Sequence, residues 1–345
     1  MRAAVMRHSQ IVVDTVPDPE PQTGEILVHN LVCGICGSDL HALQHGELMV
    51  EASREAGAPT VMDLSRDVIM GHEFCCEILD YGPKTARTLK PGARVVHPAL
   101  LIRGAELHGI GYSNDVPGGF AEQMVLSESM LVPVPDGLSS EHAALTEPMS
   151  VGIHAVARGR ASARDSAIVI GCGPVGLAVI AGLRLQEVSP IIAADFSPMR
   201  RALAERMGAH VVVDPAERSV FTAWSETGSL RPPIVFECVG ISGVLPGIIR
   251  EAPRFARVIV VGVSMEEDRI KPMVAIVKEL NVRFSFGYSL EEFAQTLQAI
   301  AEGGIDVEPL ITGQVGLDGV ASAFEELAQP DRHAKILVNP DGSQG

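Results

Sequence analysis

The sequence predicts an α/β chain in two parts: an irregular, mostly antiparallel β domain, and a doubly wound parallel sheet covered by helices. Three observations carry this. From about residue 160 to 288, β-branched runs alternate with helix-like segments, the pattern of right-handed βαβ crossovers. Before residue 150 the strand-like pieces are short and separated by Pro and Gly, which suits hairpins and meanders. With 345 residues and 46% hydrophobic content, the chain can fill two cores.

In chain order, AAVM, GEILVHNLV, HEFCCEIL, ARVVHP and GGFAEQMVL read as the strands of the first part, and DLHAL opens a helix after Ser38. The second part starts with the apolar strand AIVIG. Its later strands are IIAAD (191–195), HVVVD (210–214), IVFECV (234–239), RVIVVGV (257–263) and VRFSFGY (282–288). Between them, SPMRRALAERMGA (197–209) reads as a helix stopped by Gly208. After Tyr288 come the helices LEEFAQTLQAIAEGG and LDGVASAFEELAQ and a last strand, AKILVN. Periodicity does not say to which part this tail belongs. The uncharged run Ala167–Leu183 falls short of the ~20 residues of a membrane span and is broken by glycines and Pro174, so it reads as strand, turn and helix.

A formal charge of −16 without any run of Lys or Arg argues against a nucleic-acid partner. The N-terminal MRAAVM lacks the apolar core of a secretory signal, and the six cysteines (33, 36, 75, 76, 172 and 238) form no spaced disulfide framework. Free or metal-bound thiols in a reducing cytoplasm are expected.

Gly171-Cys-Gly173-Pro174-Val175-Gly176 follows a predicted strand and opens a predicted helix. Such a turn needs Gly171 to bend, Gly173 for backbone approach to a pyrophosphate, and Gly176 for close packing of helix on strand. The helix N-terminus then offers unpaired N–H groups to phosphate oxygens. Asp195 ends the next strand, 19 residues beyond Gly176, where a carboxylate accepts from an adenosine ribose. An acid there repels a 2′-phosphate, which favours NAD over NADP, although Arg200 and Arg201 stand close by in sequence.

Three other pieces offer metal ligands: CGICGSDLH (Cys33 to His41), Gly71-His72-Glu73, and Glu147 in TEPMSVGIHA. The two thiols admit three readings, namely a redox pair, half of a structural zinc staple, or one corner of a catalytic metal site. A redox CxxC needs a thioredoxin-like βαβ setting, which the first domain lacks.

Taken in order, CGICGSDLH, GHE, EPMSVGIHA and GCGPVG with Asp195 resemble the zinc-dependent medium-chain alcohol and polyol dehydrogenases, in the sorbitol, butanediol and threonine dehydrogenase-like branch. The likeness runs from MRAAV and VPDPEP through KPGARVV and GGFAE to AKILV. It implies a GroES-like catalytic domain (1–153 and 289–345) around a Rossmann coenzyme domain (154–288). It also implies one catalytic zinc held by Cys36, His72 and Glu147, with Glu73 as the rival third ligand. A thiolate, an imidazole and a carboxylate leave the fourth position of zinc open. Family members with a structural zinc carry cysteines in the lobe before GGFAE; Val95 to Phe120 has none, so no structural zinc is expected.

The resemblance further implies Ser38 as a relay hydroxyl, His41 as the residue passing the proton toward solvent, and Asp39 as acceptor from His72. Val261, Gly262 and Val263 match a strand end that holds the nicotinamide carboxamide, and Phe286 a second backbone contact. Arg254 to Arg257 stand where relatives often show a glycine pair. The implied reaction moves hydride between a neutral secondary alcohol or diol, or its ketone, and NAD(H), in a homodimer or homotetramer. The zinc-free NADPH quinone and enoyl reductases of the same superfamily are the alternative, and a non-catalytic nucleotide- or zinc-binding protein is another. Segment His45 to Asp67 is expected near the pocket.

Overall fold

The computed structural model describes residues 1–342. The first domain begins with strands β1 (Arg2–Arg7), β2 (Gln10–Thr15) and β3 (Glu25–Gly34), followed by helix α1 (Gly37–Glu55). Next come β4 (Val68–Ile69), β5 (Glu73–Tyr81), β6 (Arg94–Val96), the hairpin β7 (Leu100–Arg103) and β8 (Glu106–Gly109), β9 (Gln123–Ser127) and β10 (Val132–Pro133). Helices α2 (Ser140–Ala144) and α3 (Thr146–Gly159) lead out of it. β3 is central: β5 and β9 pair with it antiparallel, and their alternating apolar side chains fill one core.

The second domain alternates β11 (Ala167–Ile170), α4 (Pro174–Leu185), β12 (Ile191–Ala194), α5 (Pro198–Met207), β13 (Val211–Val213), α6 (Val220–Glu226), β14 (Ile234–Glu237), α7 (Val244–Glu251), β15 (Arg257–Val260), α8 (Pro272–Lys278) and β16 (Asn281–Phe284). All its pairings are parallel, in the order β13-β12-β11-β14-β15-β16. The order reverses between β11 and β14, and that switch point opens a crevice beyond their C-terminal ends. The tail contributes α9 (Leu290–Ala301), β17 (Ile311–Val315), α10 (Val320–Leu327) and β18 (Lys335–Val338). β18 pairs antiparallel with β3, so the end of the chain closes the first domain's sheet.

Several elements differ from the sequence expectation. Each parallel strand stops one to four residues early: RVIVVGV ends as strand at Val260 and VRFSFGY at Phe284, because the residues beyond turn into crevice loops. α3 runs unbroken through residues 153 and 154 and belongs physically to both bodies. Its Gly152 lies so close to α4 that a Cβ there would stand 2.3 Å from the Ala178 carbonyl carbon. The segment from His45 onward begins as the second half of α1, which kinks at His45 (φ −132°, ψ 33°). Lobe 95–120 is held by buried Leu101, Ile110, Val116 and Phe120, and by Arg103 donating to buried Glu25 at 2.8 Å. Phe255 takes a left-handed φ of 65° in the turn where relatives often carry glycine. Among the described residues no helix is long and apolar enough to cross a membrane.

Candidate active site

β3 ends at Gly34, and the chain turns immediately into α1 at Cys36. The Cys36 N–H donates to Asp39 Oδ2 at 2.9 Å, a reciprocal cap that fixes the thiol at the mouth of the helix. β5 begins at Glu73, pairing with Gly34, and this register brings His72 and Glu73 beside Cys36. Donor atoms of Cys36, His72 and Glu73 all lie within 4.8 Å of one another. Gly34 is needed here, since a Cβ at that position would stand 2.2 Å from Glu73 Oε2.

His72 is buried, with Nδ1 facing Asp39 Oδ1 at 3.3 Å and Nε2 facing Ser38 Oγ at 3.5 Å. The Nδ1 contact falls outside good hydrogen-bond geometry, so that nitrogen is unsatisfied by protein. Burial opposes charge on this ring, yet Asp39 outweighs it and raises the His72 pKa well above its ordinary value. Glu73 is fully buried, and Lys335, at the start of β18, donates to both its oxygens at 2.7 and 2.6 Å and to Ile35 O at 3.0 Å.

Glu147, in the first turn of α3, lies outside the 4.8 Å group. Its Oε1 accepts from Tyr288 OH at 3.0 Å, while Oε2 makes no hydrogen bond among the described residues. Burial, with the charge of Glu73 added, pushes this carboxyl up to about 7, although the His72 ring pulls against it. Tyr112 OH donates to Ser38 Oγ at 2.8 Å, and its ring stands 5.2 Å from that of His72. His41 is half-buried, and burial followed by the neighbouring His45 lowers its pKa; no direct hydrogen bond joins it to Ser38. Cys33 is fully buried against the turns at Gly71 and Gly119, a packing position.

On the coenzyme side, Gly171 sits at φ 92°, and a Cβ on Gly176 would come within 1.9 Å of Gly171 O. Pro174 and Val175 open α4, and a Cβ on Gly173 would meet nothing nearer than Arg200 Nη1 at 3.9 Å. Asp195 ties the turn down: Oδ2 accepts from Cys172 N and Oδ1 from Ser197 N, both at 2.8 Å. Arg200 Nη1 lies 4.0 Å from Asp195 Oδ2, and its buried Nε has no partner. Arg201 turns away toward Asp214 and the carbonyls of Asp195 and Phe196. Val261 N and Gly262 N both donate to Glu237 O, which leaves Val263 exposed at the crest, and Phe286 is 91% exposed.

Sequence reasoning missed Lys335, Tyr112, Tyr288 and Gly34. Only Lys335 left a signal, as the single charge opening an otherwise apolar strand.

Comparison with known proteins adds the following. A family model described as the alcohol dehydrogenase GroES-like domain matches residues 22–136, and one described as zinc-binding dehydrogenase matches 174–302. The chain is 30% identical to the (R,R)-butanediol dehydrogenase of Bacillus subtilis (strain 168), over 99% of this chain and 100% of that one. Sorbitol dehydrogenase of the same strain is 28% identical over 99% and 98%. The crystal structure of 2R,3R-butanediol dehydrogenase from Bacillus subtilis superimposes with a TM-score of 0.85 over 99% of both chains, at 29% identity. A zinc-binding dehydrogenase from Sinorhizobium meliloti 1021, bound to NADP, gives 0.83 at 27% identity, over 98% and 99%.

Proposed function

Because the chain belongs to the zinc-binding alcohol dehydrogenase family, we propose that it moves hydride between a secondary alcohol or diol, or the matching ketone, and NAD(H), using one catalytic zinc. The observation that carries this is the convergence of Cys36, His72 and Glu73 donors within 4.8 Å, with the buried Glu147 carboxyl near enough to feel the charges of both the His72 ring and Glu73. Charge supports the same reading. Asp39, Glu73 and Glu147 gather with the Cys36 thiol around Lys335 and the His72 ring, and a divalent ion here would balance the buried acids while the ring serves as a neutral ligand.

When bound, zinc would supply Lewis-acid polarisation of a substrate hydroxyl, and nicotinamide would supply the hydride acceptor. The chain does the rest. Cys36 Sγ and His72 Nε2 supply the soft and borderline donors, and Asp39 orients the imidazole from its far side. Glu147 is the third ligand in this reading, because its Oε2 is free while Lys335 already neutralises Glu73 and would set a like charge beside the ion. Tyr112 OH occupies one lone pair of Ser38 Oγ, which leaves the serine its second lone pair to accept from a substrate hydroxyl and its own proton to give onward. Ser38 takes up the alcohol proton and passes its own onward, and the neutral His41 ring carries it to solvent.

Asp195 at the adenosine ribose supports NAD over NADP. Free thiols at all six cysteines suit a reducing compartment such as the cytoplasm. Exposed Met273, Ile276 and Phe284 along α8 and the open edge of β16 suit pairing with a second copy, giving a homodimer or a larger homo-oligomer.

Elemental analysis with NADH formation followed at 340 nm tests the assignment. Wild-type protein should hold about one zinc per chain. Cys36→Ser and Glu147→Gln should lose metal and turnover together, while Glu73→Gln should keep its metal. Retention of zinc in Glu147→Gln with loss in Glu73→Gln would transfer the third ligand to Glu73. Full metal and activity in Cys36→Ser would end the proposal.

A further inference from the structure

We propose that the chain also binds a multivalent phosphate anion of the pyrophosphate type, in an arginine-lined cavity at the end of the coenzyme sheet opposite the dinucleotide crest. The cavity measures about 260 Å³ and is bounded by Arg158, Arg160, Arg257, Ile259, Asn281 and Arg283, together with Gly159. β15 and β16 begin here, so it lies at their N-terminal ends, whereas the coenzyme turn lies beyond the C-terminal ends. α3 spans the interval. Glu147 is in its first turn and Arg158 in its last, about 17 Å apart along the axis.

Two of the four guanidinium groups are committed to the protein. Arg257 Nη1 donates to Gly159 O at 2.8 Å and Arg160 O at 3.0 Å, and its other arm pairs with Asp165. Arg283 Nη1 donates to Arg158 O at 3.2 Å and its Nε to Asn281 Oδ1. These bonds satisfy the C-terminal carbonyls of α3 and hold both forks rigid. Arg158 and Arg160 do neither job: both are exposed and neither makes a side-chain hydrogen bond or ion pair among the described residues. Helix capping therefore accounts for two of the arginines and leaves two unexplained.

No carboxylate is among the described residues lining the cavity, and Asp165, which pairs with the lining Arg257, is spent on that bond. In a chain of net charge −16 this is a concentrated positive spot, assembled from residues about 125 positions apart and so invisible in the sequence. A second cavity of about 270 Å³, which Asp165 lines, also carries Arg164 and Arg231, and neither makes a side-chain hydrogen bond or ion pair among the described residues. Paired, planar guanidinium forks match the oxygen geometry of phosphoryl groups, and several around one space favour more than one phosphoryl on the same ligand.

The test is calorimetric titration of inorganic pyrophosphate into NADH-saturated enzyme at low salt, so that the coenzyme turn is already filled. One saturable site with Kd of about 100 µM is expected, with orthophosphate about tenfold weaker. In the double variant Arg158→Ala, Arg160→Ala the pyrophosphate affinity should fall about tenfold or more, with NADH affinity and turnover unchanged. Three results would overturn it: no saturable heat up to about 10 mM pyrophosphate, the same affinity in the double variant, or pyrophosphate that competes with NADH. The last would mark the coenzyme turn as the only anion site.

Discussion

Lys335 is the residue whose loss should be felt most. It is buried, it binds both oxygens of Glu73, and among the described residues no other Lys or Arg pairs with that carboxylate. Lys335→Met strands a charge in the interior and should cost about 3–5 kcal/mol in urea unfolding. A cost under ~1 kcal/mol would mean Glu73 finds another partner or a proton. Asp195 makes a different prediction: Asp195→Ala should weaken NAD more than NADP, read from the two dissociation constants, and an unchanged ratio would refute the coenzyme preference. These residues also show what a sequence reveals. Asp195, Cys36 and His72 are legible because their partners lie in local motifs of fixed spacing. Lys335 and Tyr288 are not, because each meets its carboxylate across a separation of 262 or 141 residues that only the β3–β18 pairing and the return from β16 create.

At the level of elements, α9 is held by a reciprocal cap. Ser289 Oγ accepts from Glu292 N at 3.1 Å, Ser289 N donates to Glu292 Oε2 at 2.8 Å, and His154 of α3 joins the same carboxylate. Ser289→Ala should lower stability by about 1 kcal/mol, seen as a drop in Tm. Burial works to raise the Glu292 pKa, but the Ser289 backbone N–H and the His154 contact outweigh it and the folded value is lowered. Its contribution is therefore complete above the ordinary carboxylate range and disappears as pH falls through the lowered folded value. Glu292→Gln and wild type should accordingly converge in Tm toward acid pH. Strand cores were readable from their β-branched runs, whereas strand ends were not, since apolar residues such as Val261 and Val263 continue past the last ladder bond into the crest. The kink at His45 is marked in the sequence only by the adjacent Gly46, and the left-handed position of Phe255 carries no glycine, only Pro253 two residues before it.

For the molecule as a whole, the open edge of β16 and the bare face of α8 are the features that need cover. Phe284→Asp should shift sedimentation toward the monomer, with the fold intact by circular dichroism. A wild-type protein that sediments as a monomer would remove the basis for the pairing. α3, wedged by Gly152 against α4 while carrying Glu147 in its first turn within reach of the His72 charge, has a mechanical consequence. It is a lever shared by both jaws of the cleft. A tilt of the coenzyme half by about 10° about Gly152, some 7 Å from Glu147 along the rod, sweeps that carboxylate by roughly 1 Å. In the proposed ligand set the acid would ride with one jaw and the thiol and imidazole with the other, so any opening or closing of the cleft would stretch or relax the grip on whatever the three residues hold.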